Sequence, residues 1–107
     1  TFFCNLYSPD DTSELNKNFV AEYKKMFKAE PDVFAALSYD STLAIAQSIE
    51  NAKSADPAKV AEAMAKIKDL QGVTGATTFD DKHNPIKSAV IIEHVDGKQT
   101  FKTKINP

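Results

Sequence analysis

The second helical stretch constrains this chain more than any other segment. From Val33-Phe34-Ala35-Ala36-Leu37-Ser38-Tyr39-Asp40 a helix runs on through about Ala52, and Leu37, Leu43, Ala44, Ile45, Ala46 and Ile49 point around most of its circumference. A helix that is apolar nearly all round requires burial on most sides, and its frequent alanines allow close neighbours. The rest of the chain must supply that shelter, and it is poorly equipped to do so.

Residues 2 to 7 read as a short buried strand, and Ser8-Pro9-Asp10-Asp11 as a turn. A first helix follows over about Ser13 to Ala29, with Asp11 as the expected N-cap and Glu14 at capping-box spacing. Leu15, Phe19, Tyr23, Met26 and Phe27 form one stripe at helical spacing and are expected to be core, while Lys17, Lys24, Lys25 and Lys28 take the other side. Pro31 disfavours helical geometry at Glu30 and ends this helix. Asp56-Pro57 starts a third helix to about Asp69, striped by Val60, Met64 and Ile67.

The remainder is strand-like. Ala76 to Phe79 is a short extended piece, Asp80 to Pro85 a polar turn, and Ser88 to Val95 a run rich in isoleucine and valine. Asp96-Gly97 is the strongest hairpin signal in the chain. Thr100 to Ile105 alternates, which predicts Phe101, Thr103 and Ile105 on one face and Thr100, Lys102 and Lys104 on the other. The resulting order is β-α-α-α-β-β-β, an α/β chain in which one leading strand and a terminal hairpin face three helices. That imbalance predicts that part of the native fold is missing or supplied by a partner chain. The abrupt start at Thr1 is read the same way, as a truncated or processed chain with no signal segment.

Charge and chemistry narrow the function by exclusion. The formal net charge is −2, and all 13 cationic residues are lysines dispersed along the chain. Without arginine, the usual bidentate reader of phosphate and guanine, nucleic-acid binding is not expected. No apolar run reaches the roughly 20 residues of a membrane helix. Cys4 stands alone among Phe2, Phe3 and Leu6 and is expected to be a buried small hydrophobe. His83 and His94 lack partners at metal-ligand spacing, and no nucleophile, base and orienting group are brought together by pattern, so neither metal nor catalytic residues are expected. Asp80-Asp81-Lys82-His83-Asn84 lacks the alternating oxygens, central glycine and final glutamate of a calcium loop. Gly72-Val73-Thr74-Gly75 follows a helix where a dinucleotide fingerprint would follow a strand, and is expected to be a tight helix-to-strand connection.

Three ordered segments resemble one family. Phe19-Val20-Ala21-Glu22-Tyr23-Lys24-Lys25-Met26-Phe27 with Glu30-Pro31-Asp32 is similar to a helix and turn of branched-chain amino-acid binding proteins of the type I periplasmic binding fold. Phe34 to Asp40 resembles the segment by which that family's chain crosses between lobes. Gly72-Val73-Thr74-Gly75, Thr78-Phe79-Asp80, Asn84 and Asp96-Gly97-Lys98 resemble its late turns and strands. The resemblance implies the C-terminal third of a two-lobed protein: residues 1–32 in the second lobe, 33–75 in the first lobe after a crossing, and 76–107 as terminal strands returning toward the second.

It further implies an extracytoplasmic solute carrier without cofactor or catalysis, delivering branched-chain or related amino acids to an ABC permease. A ligand-sensing domain of a receptor or regulator is the alternative. Phe34 matches a crossing aromatic that can face the ligand, and Tyr39 stands second at the same mouth. Incomplete sheets also predict homo-oligomers formed through exposed strand edges.

Overall fold

Each helix of the computed structural model, which describes residues 1–107, begins where a short polar side chain leaves the preceding backbone extended. Helix α1 spans Glu14–Phe27, α2 Val33–Ala52 and α3 Pro57–Ala65. The cap of α1 is Ser13, whose Oγ accepts the Asn16 amide at 3.3 Å. Asp11, the expected cap, instead accepts the Ser13 amide at 3.0 Å and pairs with Lys104. The long-range ion pair holds its carboxylate, and the cap falls two residues later. Asp32 caps α2 through the Ala35 amide at 2.9 Å. Asp56 and Pro57 open α3 as expected, although the Asp56 side chain makes no capping bond. No helix is long and apolar enough to cross a membrane.

Helix α3 stops at Ala65, short of the expected Asp69, because Ile67 turns inward to burial and its carbonyl accepts the Phe79 amide at 3.2 Å. The chain then enters a short strand at Leu70–Gly72 that local patterning did not reveal. Strands β1 (Phe2–Asn5), β5 (Ala89–Val95) and β6 (Lys98–Ile105) form one antiparallel sheet in the order β1-β5-β6. Strands β2 (Leu70–Gly72), β3 (Gly75–Phe79) and β4 (Pro85–Ile86) form a second, in the order β2-β3-β4. Gly72 to Gly75 is therefore a hairpin turn between β2 and β3, not a helix-to-strand connection.

The β5–β6 turn is the Asp96-Gly97 hairpin, with φ of 49° and 78° at its two central residues, the left-handed pair that a twist-matched two-residue loop requires. A bulge interrupts the β5–β6 ladder between Ile91 and Ile92, which pair with Thr103 and Phe101 and leave Lys102 unopposed. Simple alternation fails there. Phe101 and Lys104 are half-buried, while Ile105 is exposed.

The elements pack within two groups. The β1-β5-β6 sheet forms one, with α1 tied to the segment after β1. Helices α2 and α3 with the β2-β3-β4 sheet form the other. The chain passes between the groups at Lys28–Asp32 and again at Lys87–Ser88. The buried apolar cluster lies at this junction: Tyr7 from the first group, Ala36 and Val73 from the second, with Phe19 and Val33 partly buried against it.

Away from the junction, apolar surface is open. Only 16 of 107 residues are buried. The accessible surface is 7242 Å², against about 5,900 Å² for a compact chain of this mass. The radius of gyration is 15.3 Å, against about 13 Å. The shortage of shelter read from the sequence is thus a property of the molecule. It also overturns two expectations. Strand β1 is not buried: Phe2, Phe3 and Cys4 are exposed, because β1 is an edge strand with a neighbour on one side only. The α1 stripe is core only in part: Phe19 and Tyr23 are half-buried, while Leu15, Met26 and Phe27 are exposed.

Candidate functional site

The junction is where the polar architecture of this chain concentrates. Asn16, fully buried on α1, stitches the segment after β1 into place. Its Oδ1 accepts the Tyr7 hydroxyl at 2.8 Å, and its Nδ2 donates to the carbonyls of Ser8, Pro9 and Asp11 at 3.4, 3.1 and 2.9 Å. An asparagine in this position satisfies backbone groups that water cannot reach. Burial pushes the Tyr7 phenol well above its ordinary range, and the nearby carboxylates of Glu30, Asp11, Asp10 and Asp40 push it further. Tyr7 therefore acts as a neutral hydrogen-bond donor with its ring in the cluster.

On the other side of the junction, Asp40 of α2 reaches the β2–β3 turn. Its Oδ1 accepts the Val73 amide at 2.8 Å, and its Oδ2 accepts the Thr74 amide at 2.9 Å and the Thr74 hydroxyl. Neither Val73 nor Thr74 has the positive φ that twist-matched hairpin turns use. The buried carboxylate supplies the partners this turn needs. Gly72 lies so close to Asp40 that any Cβ there would overlap the carboxylate. One side chain thus fixes α2, which begins at the first connection, to the sheet that leads into the second.

Lys87, at that second connection, donates to the Thr77 hydroxyl at 2.6 Å. Burial lowers its ammonium pKa; Asp40 pulls it back up, and Lys104 adds to the lowering. Lys104 reaches in from β6 to pair with Asp11. Burial alone would raise the Asp11 carboxyl, but the Lys104 hydrogen bond and charge, with the Ser13 bonds, hold it below the usual carboxylate range.

Two hollows border these networks. An open, polar depression of about 570 Å³ lies between the first connection and the β5–β6 hairpin, walled by Tyr7, Asp10, Glu30, Asp32, Lys98 and Gln99. A smaller cavity of about 150 Å³ lies between α2 and the β2-β3-β4 sheet, lined by Leu37, Asp40, Leu70, Phe79 and Lys87 among others. The buried carboxylates and the lysines beside them are engaged in positioning the chain. Such a junction can hold and orient a polar solute. It shows no nucleophile aligned with a base and an orienting third group.

The two residues singled out at the crossing are not brought together. Phe34, in the first turn of α2, is 76% exposed. Tyr39 lies five residues on, about 140° around the helix, and packs on Phe19 with ring centroids 4.9 Å apart. Sequence reasoning passed over Asp40, Asn16 and Lys104 here, and read Asp11 only as a helix cap. For Asp40 a signal existed: it is the only charged side chain between Val33 and Ile49, and a lone charge in an apolar helix is either paired or functional. Lys104 gave none, since the bulge that turns it inward is invisible to alternation.

Residues 1–99 match the family model described as periplasmic binding protein. The chain belongs to the periplasmic binding protein family. Solved structures of such proteins agree. A leucine-binding protein, LivK, of Thermotoga maritima is 34% identical and superposes with a TM-score of 0.85, covering 99% of this chain and 31% of that one. The branched-chain amino acid transporter substrate-binding protein LivJ of Streptococcus pneumoniae, solved with isoleucine, is 33% identical with a TM-score of 0.79 over 97% of this chain and 29% of that one. A solute-binding protein of an ABC transporter from Rhodopseudomonas palustris, solved with 3,4-dihydroxybenzoic acid, is 26% identical with a TM-score of 0.85, over 99% and 31%. The chain therefore spans a little under a third of the length of these periplasmic binding proteins. Its α/β arrangement of three helices and two small sheets is a portion of the type I periplasmic binding fold.

Proposed function

We propose that this chain is the C-terminal third of an extracytoplasmic solute-binding protein that delivers branched-chain or related amino acids to an ABC permease. The observation that supports it most is the match of nearly the whole chain, at 34% identity, to a leucine-binding protein. The geometry agrees with such a role. Two packed groups joined by two short connections around a small buried cluster form the kind of junction about which lobes close on a ligand. In this reading the two groups are parts of the two lobes, residues 1–32 and 88–107 of the second and 33–86 of the first. The chain's part is to bind and transmit closure, with no catalysis of its own. The protein acts on the outer face of the cytoplasmic membrane, where its family works.

In this reading Phe34 is the aromatic wall of the solute site. It stands at the first connection with its ring open, free to meet a ligand held between lobes. Tyr39, braced on Phe19 about 140° around the helix, is the second candidate.

A chimera tests the assignment. Residues 1–107 replace the matching third of the Thermotoga maritima leucine-binding protein, and leucine, isoleucine and valine are titrated calorimetrically. The chimera is expected to bind at least one of them saturably, and Phe34→Ala to weaken that binding about tenfold or more, the loss typical of a buried aromatic contact. A folded chimera that takes up none of the three refutes the amino-acid reading.

A further inference from the structure

The two groups of this fold touch beside both connections, and the two contacts are built differently. Beside the first connection the contact is apolar: Tyr7 packs with Ala36 and Val73, and Val33 lies against them. Beside the second it is polar, and one side chain reaches across. Lys104 leaves β6, pairs with Asp11 of its own group, and lies over Gly75, where β3 of the other group begins. A Cβ placed at Gly75 would stand 3.7 Å from the Lys104 Nζ and 3.7 Å from the Ser88 Oγ. The Lys104 side chain is only 24% exposed and that of Asp11 8%.

Each part of this contact is held from elsewhere. Lys104 stands opposite Val90, a fully buried residue of β5, so its stem is fixed to the sheet. The Asp11 carboxylate also accepts the Ser13 amide at 3.0 Å and cannot follow the lysine if it moves. Ser88 Oγ donates to Asn106 Oδ1 at 2.8 Å, which ties the connection itself to the end of β6. On the other side, Gly75 has φ of 100°, a conformation that glycine alone takes readily, and its missing side chain leaves room for the ammonium. Lys87 donates to Thr77 of β3 at 2.6 Å and is half-buried. Lys104 lowers the pKa of Lys87, so two ammonium groups, one fixed to each group, oppose one another across the connection. Like charges partly withdrawn from water repel more strongly than they do at the surface.

We infer that Lys104 is a stop that sets the angle between the two groups. Its ammonium, anchored by Asp11, bears on the start of β3, and the apolar cluster beside the first connection is the pivot. The contact is made wholly between residues of this chain. In the solute-binding reading Lys104 thereby positions the lobes without touching the solute, and only that last step rests on the reading.

The angle is measured in the 107-residue chain, with no solute present, by double electron–electron resonance. Spin labels go on Lys59→Cys of α3 and His94→Cys of β5, both exposed, in a Cys4→Ser background. Lys104→Ala is expected to shift the mean distance by about 3 Å or more, or to widen its distribution by as much, as a hinge rotation of about 10° does at a lever of about 20 Å. Lys104→Arg keeps the pair with Asp11 and is expected to stay within about 1 Å of the parent. Lys102→Ala, two residues away on the same strand, is expected to change nothing. Circular dichroism checks that each variant folds. Where Lys104→Ala does not, Asp11→Asn, which frees the ammonium and keeps the shape, carries the same expectation.

An unchanged distribution in the folded variant overturns the inference, even if its urea midpoint falls, because a residue that only stabilised its own sheet would behave that way. So does a shift in Lys102→Ala as large as that in Lys104→Ala, or a Lys104→Arg chain displaced as far as the alanine one.

Discussion

Replacing Asp40 with alanine removes the side chain that fixes α2 to the β2–β3 turn, and its cost can be worked from the contacts. The carboxylate accepts two buried backbone amides and a buried hydroxyl. Hydrogen bonds to a charged group contribute about 1.5–3 kcal/mol each, and a buried donor left without a partner costs about 1–3 kcal/mol. The three bonds act as a unit and some water enters the gap, so their sum overstates the loss. We expect about 4 kcal/mol for Asp40→Ala. Domains of this size have about 5–15 kcal/mol in all, and the thin core here places the chain near the lower figure. Asp40→Asn keeps the shape but sets an amide donor against backbone donors, and is expected to cost about 2–3 kcal/mol.

Urea unfolding followed by circular dichroism at one fixed protein concentration measures both. The alanine variant is expected to move the midpoint down by roughly 3 M, if it folds at all, at the urea dependence usual for a chain of this length. Hydrogen exchange gives a local reading of the same event. The amides of Val73 and Thr74 are expected to lose protection in Asp40→Asn even where the helices stay protected. If Asp40→Ala unfolds within about 0.5 kcal/mol of the parent, or the two amides exchange no faster, the carboxylate does not hold the turn and the reasoning fails.

Two other predictions concern the opposite side of the junction. The Asp11 carboxyl is depressed in the folded chain, so its contribution is present above the unfolded value near pH 4 and is lost as pH falls through the folded value. Lys104→Met removes the main opposing influence and leaves burial dominant, so the acid unfolding midpoint should move to higher pH and about 2 kcal/mol should be lost at neutral pH; an unchanged acid midpoint would show that the ion pair is idle. Asn16→Ala strands the carbonyls of Pro9 and Asp11 and the Tyr7 hydroxyl, while the Ser8 carbonyl keeps the Asp11 amide, and should cost about 3 kcal/mol in a denaturant titration, whereas a loss under 1 kcal/mol would mean that water replaces the amide freely.

The residues that repeat locally announced their structure, and those that act over distance did not. Helical spacing and the Asp-Pro and Pro31 signals located all three helices, and Asp96-Gly97 located the terminal hairpin. Strands β2 and β4 escaped because they have three and two residues, too few for any period, and exist only through pairing with β3. The burial expected for Cys4 and for the ends of the α1 stripe failed for one reason: composition says what a residue prefers, not whether a neighbour is present to cover it. The junction was legible only as an apolar crossing with one charge in it. That Asp40 turns toward Val73 and Thr74, more than thirty residues away, and that Lys104 meets Asp11, depends on a hairpin turn and a bulge that no local pattern encodes. Phe34 and Tyr39 were placed on the crossing helix by family likeness, and the helix sets them on different sides of it.

What this chain lacks by itself is the opposing wall of a cleft. Ligand shifts a two-lobed carrier toward closure only by touching both lobes, and this chain covers 31% of the leucine-binding protein it matches. Isothermal titration of leucine, isoleucine and valine into the purified 107-residue chain is the direct measurement. The expected result is dilution heat alone for all three. Saturable heat at micromolar concentration would show a complete binding site within these residues and contradict the account.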